Sequence, residues 1–290
     1  MIYLHNMTRP VIIHFHIFKN AGTTIDWVLR NNFGDDAVRF DDRQRSGNIF
    51  TADELSKYIS EYPTGKSFSS HQLRYHLPRD QDCIFFPTVF IRHPIDRAFS
   101  IYSFARRDKR DEPYFHKARN STLRDFVKFN VEMEQFQDMS NFQTLWLSHI
   151  FGKNEVNTQS LLRALENLQS CSILGVVDRF DESLVVAEEM LRPLMPEINM
   201  AYISQNVSRE REISFSNRLR AGKLEIGDDL WAELVQKNVY DFVLYSYANE
   251  RLEENIKNIP DFSAKLADFK ARCNQLRAKK QRVLEATGAR

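Results

Sequence analysis

The sequence predicts an α/β three-layer sandwich with a central, mainly parallel β-sheet, because one pattern recurs along the chain. A short apolar run is followed by apolar residues at helical spacing, and the apolar runs span residues 11–18, 83–91 and 171–177. Strands that alternate with helices form a parallel sheet covered on both faces. With 290 residues, 42% of them hydrophobic, the chain is long enough to bury the core of such a domain.

The first strand, residues 11–18, is rich in the β-branched residues typical of buried parallel strands. Helical spacing begins at Ile25 and continues to Phe33, and Gly34 is the expected C-terminal cap. The letters between strand and helix, "KNAGTT" at 19–24, therefore predict a tight strand-to-helix loop.

The second unit begins with a predicted strand over 83–91, in which Pro87 is expected to confine pairing to 88–91. A helix is predicted over 95–107, with Pro94 near its first turn, where proline is favoured.

The third unit predicts a strand over 171–177 and a following helix for which Asp181 is the expected cap. Two longer amphipathic stretches, 121–150 and 228–257, predict helices that bury one face.

Outside these units, residues 36–62 and 108–122 are polar and loop-like. They are predicted to form lids or loops that bind an acceptor substrate. Apolar residues recur at heptad-like spacing over 262–283, which predicts a C-terminal helical extension, 259–290, on a main domain of residues 1–258. Three interpretations of this extension stay open: a helix packed on its own domain, an arm for a homo-oligomer, or a basic surface.

Composition excludes several classes of protein. The formal net charge of +1 provides no global field for nucleic acid or an anionic membrane. No stretch is long and apolar enough for a transmembrane helix, and nothing at the N-terminus is typical of a signal peptide. The three cysteines, Cys83, Cys171 and Cys273, lie far apart and form no zinc motif, so we expect free thiols, no metal and a cytoplasmic protein.

The loop at 19–24 has the features of a phosphate-binding loop. A loop between a parallel strand and a helix presents backbone N–H groups and the positive end of the helix dipole. Gly22 permits close approach of an oxyanion, Thr23 and Thr24 add hydroxyl donors, and Lys19 adds an ammonium group. The order differs from G-x-x-x-x-G-K-[ST], because the lysine precedes the glycine and no magnesium ligand is evident.

A second anion site is predicted after the second strand, in "IRHPIDRAFS". Arg92 is expected at the end of the strand and Ser100 in the following helix. Ligands of α/β proteins bind at the carboxyl ends of the strands, and an arginine fork suits a phosphate. Two such sites predict a ligand with two separated phosphate-type groups.

These motifs resemble those of a known family. "HIFKNAGTT" (16–24) resembles the 5′-phosphosulfate loop of sulfotransferases that use 3′-phosphoadenosine 5′-phosphosulfate (PAPS), in the version found in carbohydrate sulfotransferases related to the heparan sulfate 2-O-sulfotransferase. "FIRHPIDRAFSIY" (90–102) resembles the 3′-phosphate strand and helix. The resemblance covers roughly residues 11–255. Phe18 and Asn20 depart from the proline and threonine that are usual at these positions.

The resemblance implies a P-loop-like fold, PAPS as the sulfuryl donor, 3′,5′-ADP as the product and a glycan or glycolipid as the acceptor. It implies that Arg92 and Ser100 hold the 3′-phosphate. The residues that it implies around the 5′-phosphosulfate are Lys19, Asn20, Ala21, Gly22, Thr23 and Thr24.

Sulfuryl transfer to a hydroxyl needs a base that is neutral near physiological pH, a task that suits histidine. His71 is the predicted base and resembles the catalytic histidine of the family in position, while His76 is the competing base or an acceptor contact. Lys19 is expected to neutralise the leaving oxygen. The other residues proposed to bind the acceptor are Arg74, Asn141 and Gln143.

The remaining expectations concern two histidines, two alternative functions and the location of the protein. His14 and His16 are expected to be buried and hydrogen-bonded rather than catalytic. The chain could instead be a P-loop-type small-molecule kinase, although it lacks a Walker-type lysine, or an inactive member that binds glycans. Animal members of the family carry an N-terminal membrane anchor, and since only residues 1–10 precede the first predicted strand, we expect a soluble, bacterial-type enzyme.

Overall fold

The computed structural model contains one five-stranded parallel sheet with the strand order β2-β3-β1-β4-β5. It describes residues 8–41, 49–78, 82–133, 137–149, 156–205 and 214–287. The strands are β1 (Arg9–Phe15), β2 (Ala37–Arg39), β3 (Ser67–Ser70), β4 (Cys83–Ile91) and β5 (Ile173–Val176). The predicted α/β class with a central parallel sheet is confirmed.

Helices separate the strands along the chain. Among the described residues, no helix is both long and apolar enough to cross a bilayer. The helices are α1 (Gly22–Phe33), α2 (Ala52–Glu61), α3 (Pro94–Ala105), α4 (Pro113–Arg119), α5 (Leu123–Glu132), α6 (Phe142–Ser148), α7 (Thr158–Gln169), α8 (Phe180–Leu191), α9 (Phe215–Ile226), α10 (Asp228–Gln236), α11 (Val239–Lys257) and α12 (Phe262–Thr287).

Each predicted strand and the helix after it is present, but the polar regions contain more structure than predicted. The region 36–62 holds β2 and α2, and 108–122 holds α4, so the prediction of loops is wrong for these segments. Helix α2 begins with a capping box between Thr51 and Glu54, a local signal that a mainly polar composition obscured. Asp181 also lies inside the first turn of α8, after a short 3₁₀ turn, and is not its N-cap.

Pro87 does not confine the pairing of β4. The register pairs β1 with β4 from Arg9–Cys83 to His14–Thr88, and Pro87 lies opposite Ile13 within it. Successive N–H groups of a strand point to alternate neighbours, so one proline removes a single ladder hydrogen bond and leaves the flanking residues paired.

The chain divides into two compact units. The first contains residues 1–90, 170–205 and 250–290, and the second contains 91–169 and 206–249. In the first unit, one face of the sheet packs against α1, α8 and α12. Its core includes Ile12, Phe90, Ile173, Val28, Leu184 and Phe269.

The core of the second unit is helical, and α3, α5, α9 and α10 pack against one another. Buried apolar residues of these helices form its interior. They include Ile95, Ile101, Phe126, Val127, Leu230 and Leu234.

Helix α12 is joined to α8 by buried contacts as well as by charge. Phe269 and Cys273 are almost inaccessible to solvent. The Glu188 carboxylate of α8 is buried and accepts hydrogen bonds from Arg272 of α12 at 2.8 and 3.1 Å. The amino-terminal half of α12 is therefore part of the core of the first unit. The predicted domain boundary at residue 258 stays a prediction.

Candidate active site

The loop between β1 and α1 begins the candidate site. Lys19 and Ala21 adopt left-handed backbone conformations, with φ of 67° and 64°, which are uncommon for residues other than glycine. Helix α1 begins at Gly22 without a side-chain cap from Ala21. Because the first N–H groups of a helix have no intrahelical acceptor, those of Gly22 and Thr23 can donate to an anion.

The packing of the His16 ring against residue 22 leaves room only for glycine at this position. Its φ is not positive, but a Cβ atom at this position would overlap the imidazole of His16. The glycine therefore lets the start of α1 lie directly against the His16 ring. This is a packing reason for the glycine, in addition to the phosphate-binding reason predicted from the sequence.

Of the other loop residues, some are buried and bonded to neighbouring segments, and others are open to solvent. Asn20 is buried, and its Nδ2 donates to the carbonyl of Phe90 at 2.7 Å, which ties the loop to β4. Thr24 is also buried and accepts from the backbone N–H of Gln205. Thr23 is exposed, and Lys19 is half-buried with its Nζ 5.7 Å from the centre of the Phe18 ring.

His71 directly follows β3, and the sheet register explains its neighbours. Phe15 of β1 pairs with Ser70 of β3, so the next residues of the two strands, His16 and His71, lie side by side. Their ring centres are 3.6 Å apart, and Nδ1 of His71 lies 3.3 Å from the carbonyl oxygen of His16. A carbonyl can only accept, so Nδ1 of His71 carries the proton and Nε2 is left as an acceptor.

The charged groups around His71 come from strand β2, the residues just after it, and helix α1. Asp41, after β2, accepts the backbone N–H of His71 at 2.8 Å, and Arg39 of β2 binds the same carboxylate at 3.1 Å. Burial lowers the pKa of His71 and Arg39 lowers it further, whereas Asp41 and Asp26 oppose the shift. The imidazole is therefore neutral at physiological pH, as a general base must be.

Asp26 of α1 lies beneath this arrangement and binds two histidines. Its Oδ1 is 3.0 Å from Nδ1 of His14 and its Oδ2 is 3.1 Å from Nδ1 of His16, while Ser69 also donates to it at 2.6 Å. Burial opposes ionisation of Asp26, but these hydrogen bonds outweigh it and hold the pKa of Asp26 well below its usual range. The expectation that His14 and His16 are buried and hydrogen-bonded is confirmed.

Burial, rather than the pairing with Asp26, decides the direction of the pKa shift of His16. Burial lowers the pKa of His16 to about 4, although its hydrogen bond to Asp26 acts in the opposite sense. At neutral pH the carboxylate is therefore ionised and the His16 imidazole is neutral. Its Nδ1 carries the proton that faces Asp26.

Imidazole nitrogens and a carboxylate are also metal ligands, and His14, His16 and Asp26 could hold a metal ion by composition and spacing. In this arrangement each Nδ1 faces a carboxylate oxygen at hydrogen-bond distance. The geometry is that of a hydrogen-bonded network, and metal binding is a question for experiment.

Arg74 and His76 follow His71 in the same unit. Arg74 donates to the carbonyl oxygen of His71 at 3.3 Å, and burial lowers the pKa of Arg74 to about 9. His76 is exposed. Of the two candidate bases, His71 is the one whose ring orientation is fixed by the contacts described above.

In the second unit, Arg92 follows β4 and forms a buried ion pair. Its Nε and Nη2 both lie 2.7 Å from Oδ2 of Asp96, and Nε of Arg218 lies 3.1 Å from Oδ1 of the same carboxylate. Burial opposes ionisation of Asp96, but the two guanidinium groups hold its pKa below the usual range. Two cations share one anion, so the cluster carries a net positive charge. Ser100 lies half-buried in α3.

Gln143 and Asn141 have structural contacts in this unit. Gln143 is fully buried, and its side-chain amide bonds both the N–H and the carbonyl of Arg92 at 2.9 Å. Asn141 accepts the N–H groups of Tyr240 and Asp241 at the start of α11, while Asp241 accepts those of Gln143 and Thr144 at the start of α6. These reciprocal caps favour a supporting role over the predicted contact with the acceptor.

The structure thus brings the loop 19–24, His71, Arg74 and His76 into one unit, and it places Arg92, Ser100, Asn141 and Gln143 in the other. Sequence reasoning missed Asp26 and Asp41. The signal for Asp26 was an acidic residue beside the apolar positions Ile25, Val28 and Leu29 of a helix that follows two alternate histidines.

Comparison with known proteins agrees with the motifs. A model of the sulfotransferase family matches residues 7–248. An uncharacterized protein of Archaeoglobus fulgidus is 30% identical over 257 residues, which cover 86% of this chain and 99% of that protein. The match contains both the loop at 19–24 and the segment from Arg92 to Ser100, and it supports sulfuryl transfer as the type of reaction. The chain belongs to the sulfotransferase family.

Proposed function

We propose that the protein transfers a sulfuryl group from PAPS to a hydroxyl of a glycan or glycolipid, with His71 as the base. The observation that carries this proposal is the orientation of His71. Its Nδ1 is engaged by the carbonyl of His16, so Nε2 can accept a proton, and His16 immediately precedes the segment that leads into the phosphate-binding loop.

The loop 19–24 is proposed to bind the 5′-phosphosulfate of the donor. The N–H groups of Gly22 and Thr23, the exposed Thr23 hydroxyl and the Lys19 ammonium supply donors of the right charge. Asn20 and Thr24 are buried and support the loop backbone. The 3′-phosphate is assigned to Arg92 and Ser100, and the net positive charge of the Arg92–Asp96–Arg218 cluster supports this assignment.

In the proposed reaction the acceptor oxygen attacks sulfur in line with the bond to the bridging oxygen of the phosphosulfate. The hydroxyl proton passes to Nε2 of His71 as the new S–O bond forms. The bond between sulfur and the bridging oxygen breaks, and its electron pair stays on the phosphate of 3′,5′-ADP. Lys19 neutralises this charge, a contribution of roughly 3–4 kcal/mol if it compares with an oxyanion-hole donor. Positioning and charge stabilisation supply the catalysis.

Arg74 and His76 are proposed to contact the acceptor, because they lie close to His71 in sequence and Arg74 bonds its carbonyl. The three cysteines are free thiols, which supports a reducing, cytoplasmic setting. A homo-oligomer through α12 is proposed on the exposed Val283 and Leu284 near its end.

The donor is tested by thermal denaturation. We expect 3′,5′-ADP to raise the melting temperature without a divalent metal, and ATP with magnesium to have no comparable effect. Greater stabilisation by ATP with magnesium would overturn the proposal in favour of a kinase.

The reaction and its base are tested with ³⁵S-labelled PAPS and a panel of glycans and glycolipids. His71→Ala should lower kcat by about 100-fold or more, the usual loss of a general base. His76→Ala is the comparison: as a proposed acceptor contact it should raise the KM for the acceptor and retain kcat. Equal losses in both variants would remove His71 from its proposed role, and no transfer by the wild type would favour a binding protein.

A further inference from the structure

His16, the residue directly after β1, has contacts that no step of the proposed reaction uses. Its ring lies between two parts of the candidate site. On one side it fills the space that a Cβ atom of residue 22 would occupy, and on another it lies 3.6 Å from the His71 ring. Its Nδ1 is bound by Asp26 of α1.

We propose that Asp26 and His16 are positioning residues for His71: Asp26 fixes the His16 imidazole, and this ring and its carbonyl set the place and tautomer of the His71 imidazole beside the loop 19–24. The inference rests on the proposed function in taking His71 as the base. Neither Asp26 nor His16 is required to touch donor or acceptor.

The donor and acceptor atoms of the hydrogen bonds from Asp26 to His71 can be assigned in turn. The ionised Asp26 carboxylate can only accept, so Nδ1 of His16 must carry its proton. That choice fixes both the tautomer and the rotation of the His16 ring. The backbone carbonyl of the same residue then accepts from Nδ1 of His71, so one residue fixes the position of the base by its ring and the tautomer by its backbone.

Helix α1 couples this arrangement to the donor loop. The helix starts at Gly22, within the proposed phosphosulfate loop, and carries Asp26 one turn later. The same rigid element therefore holds the anion site and the carboxylate that orients His16. Because a displacement of about 1 Å can cost 100-fold in rate, fixing the base and the loop to one helix has a large expected effect.

His14 provides a matched control. It is buried on the same strand, and its Nδ1 binds the same carboxylate at 3.0 Å, with Ser69 as a second partner. His14 contacts His16, Asp26 and Ser69, and its ring centre lies 5.2 Å from that of His16. Truncation of either histidine removes one hydrogen bond to Asp26, but only truncation of His16 removes the ring beside His71.

The experiment compares His16→Ala, His14→Ala and Asp26→Asn in the full chain. Imidazole ¹⁵N shifts should show His71 as a single Nδ1–H tautomer in the wild type and in His14→Ala. In His16→Ala and Asp26→Asn the carbonyl of residue 16 remains, but the His71 ring is no longer held against it, so a mixture of tautomers is expected. We expect kcat to fall about 10- to 100-fold in the last two, with the affinity for 3′,5′-ADP changed much less. His16→Phe, which restores a ring, should recover part of the loss.

The outcomes separate the two proposals. If the tautomers change as expected but the wild type transfers no sulfuryl group, the positioning inference stands and the proposed function fails. If transfer occurs and His16→Ala matches His14→Ala in both tautomer and kcat, the positioning inference is overturned. It is also overturned if Zn²⁺ alone raises the melting temperature of the wild type but not of His14→Ala, because the trio would then be a metal site.

Discussion

Two largely buried aspartates, one in each unit, follow the same local design with opposite electrostatic results. Asp26 lies in the second turn of α1, after β1, and Asp96 lies in the first turn of α3, after the neighbouring strand β4. Each carboxylate binds basic side chains. Asp26 binds two histidines and, at 3.5 Å, the half-exposed guanidinium of Arg39, whereas Asp96 binds two mostly buried arginines.

The difference lies in the charge that remains. In the first unit two carboxylates, Asp26 and Asp41, share the single guanidinium of Arg39 and the His16 imidazole is neutral. A negative charge therefore remains, and it favours protonation of the nearby His71 during a reaction. The two arginines stay charged, so the cluster around Asp96 retains a positive charge that suits an anion. One strand–loop–helix design can thus support a base in one place and an anion site in the other, according to the partners of a single aspartate.

The largest effect expected from this comparison is on stability. Asp96→Asn leaves two mostly buried guanidinium groups without their counter-charge, and breaking a buried ion pair in this way costs about 3–5 kcal/mol. Asp26→Asn leaves the neutral His16 imidazole beside an amide, and the Arg39 guanidinium is half-exposed and keeps Asp41 as a partner, so about 1–3 kcal/mol is expected. Urea denaturation of both variants measures the difference. A greater loss for Asp26→Asn would show that the charges of the two clusters are assigned wrongly.

A second prediction concerns pH. The pKa of His16 is about 4 in the folded protein, against 6.5 for an ordinary solvent-accessible histidine. Between these values the unfolded chain binds the proton first, so the free energy of unfolding falls as the pH is lowered from 6.5 towards 4, by about 3 kcal/mol in total. Denaturation of the wild type and His16→Phe across this range measures the difference.

The difference curve matters because His93 of the second unit has a similar shift. Burial lowers the pKa of His93 to about 4, so the wild-type curve contains both groups. Only the His16 contribution should disappear in His16→Phe. Parallel curves for the two proteins would contradict the assignment of His16 as neutral and buried.

The smallest predicted effect uses two glycines that each lie beneath a ring. A Cβ atom at Gly22 would overlap His16, and one at Gly222, in α9, would overlap Phe99. Each change to alanine should cost about 1–3 kcal/mol from overpacking, as measured by chemical denaturation. Only Gly22→Ala should also lower kcat, because only its ring neighbour contacts His71. An equal loss of kcat in Gly222→Ala, at equal stability, would contradict the special role of the His16 ring beside His71.

The sequence predicted the parts of the fold whose signals are local. The units β1–α1 and β4–α3 follow from apolar runs and helical spacing, and the tight loop at 19–24 follows from its position between a strand and a helix. The short strand β3, with the sequence "SFSS", has too few apolar residues to show the pattern of a buried strand. Its existence, and hence the neighbours of His71, depends on pairing with β1.

The same distinction applies to the site. Lys19, Gly22 and His71 could be chosen from residue type and spacing. Asp26 could not, because a carboxylate on an amphipathic helix ordinarily faces solvent, and its two histidine partners depend on which face of β1 turns towards α1. Gln143 was chosen as a polar residue in a matching motif, but its burial and its bonds to Arg92 are tertiary features.

The docking of α12 on α8 has a consequence for synthesis on the ribosome. The first unit joins residues 1–90 to 170–205 and 250–290, and Phe269 and Cys273 complete a core that begins with Ile12. Because translation proceeds from the N-terminus, this core can close only when residue 273 has left the exit tunnel. The second unit, whose segments end at residue 249, can finish packing earlier. The unit whose first residues are translated earliest is therefore the last to be completed.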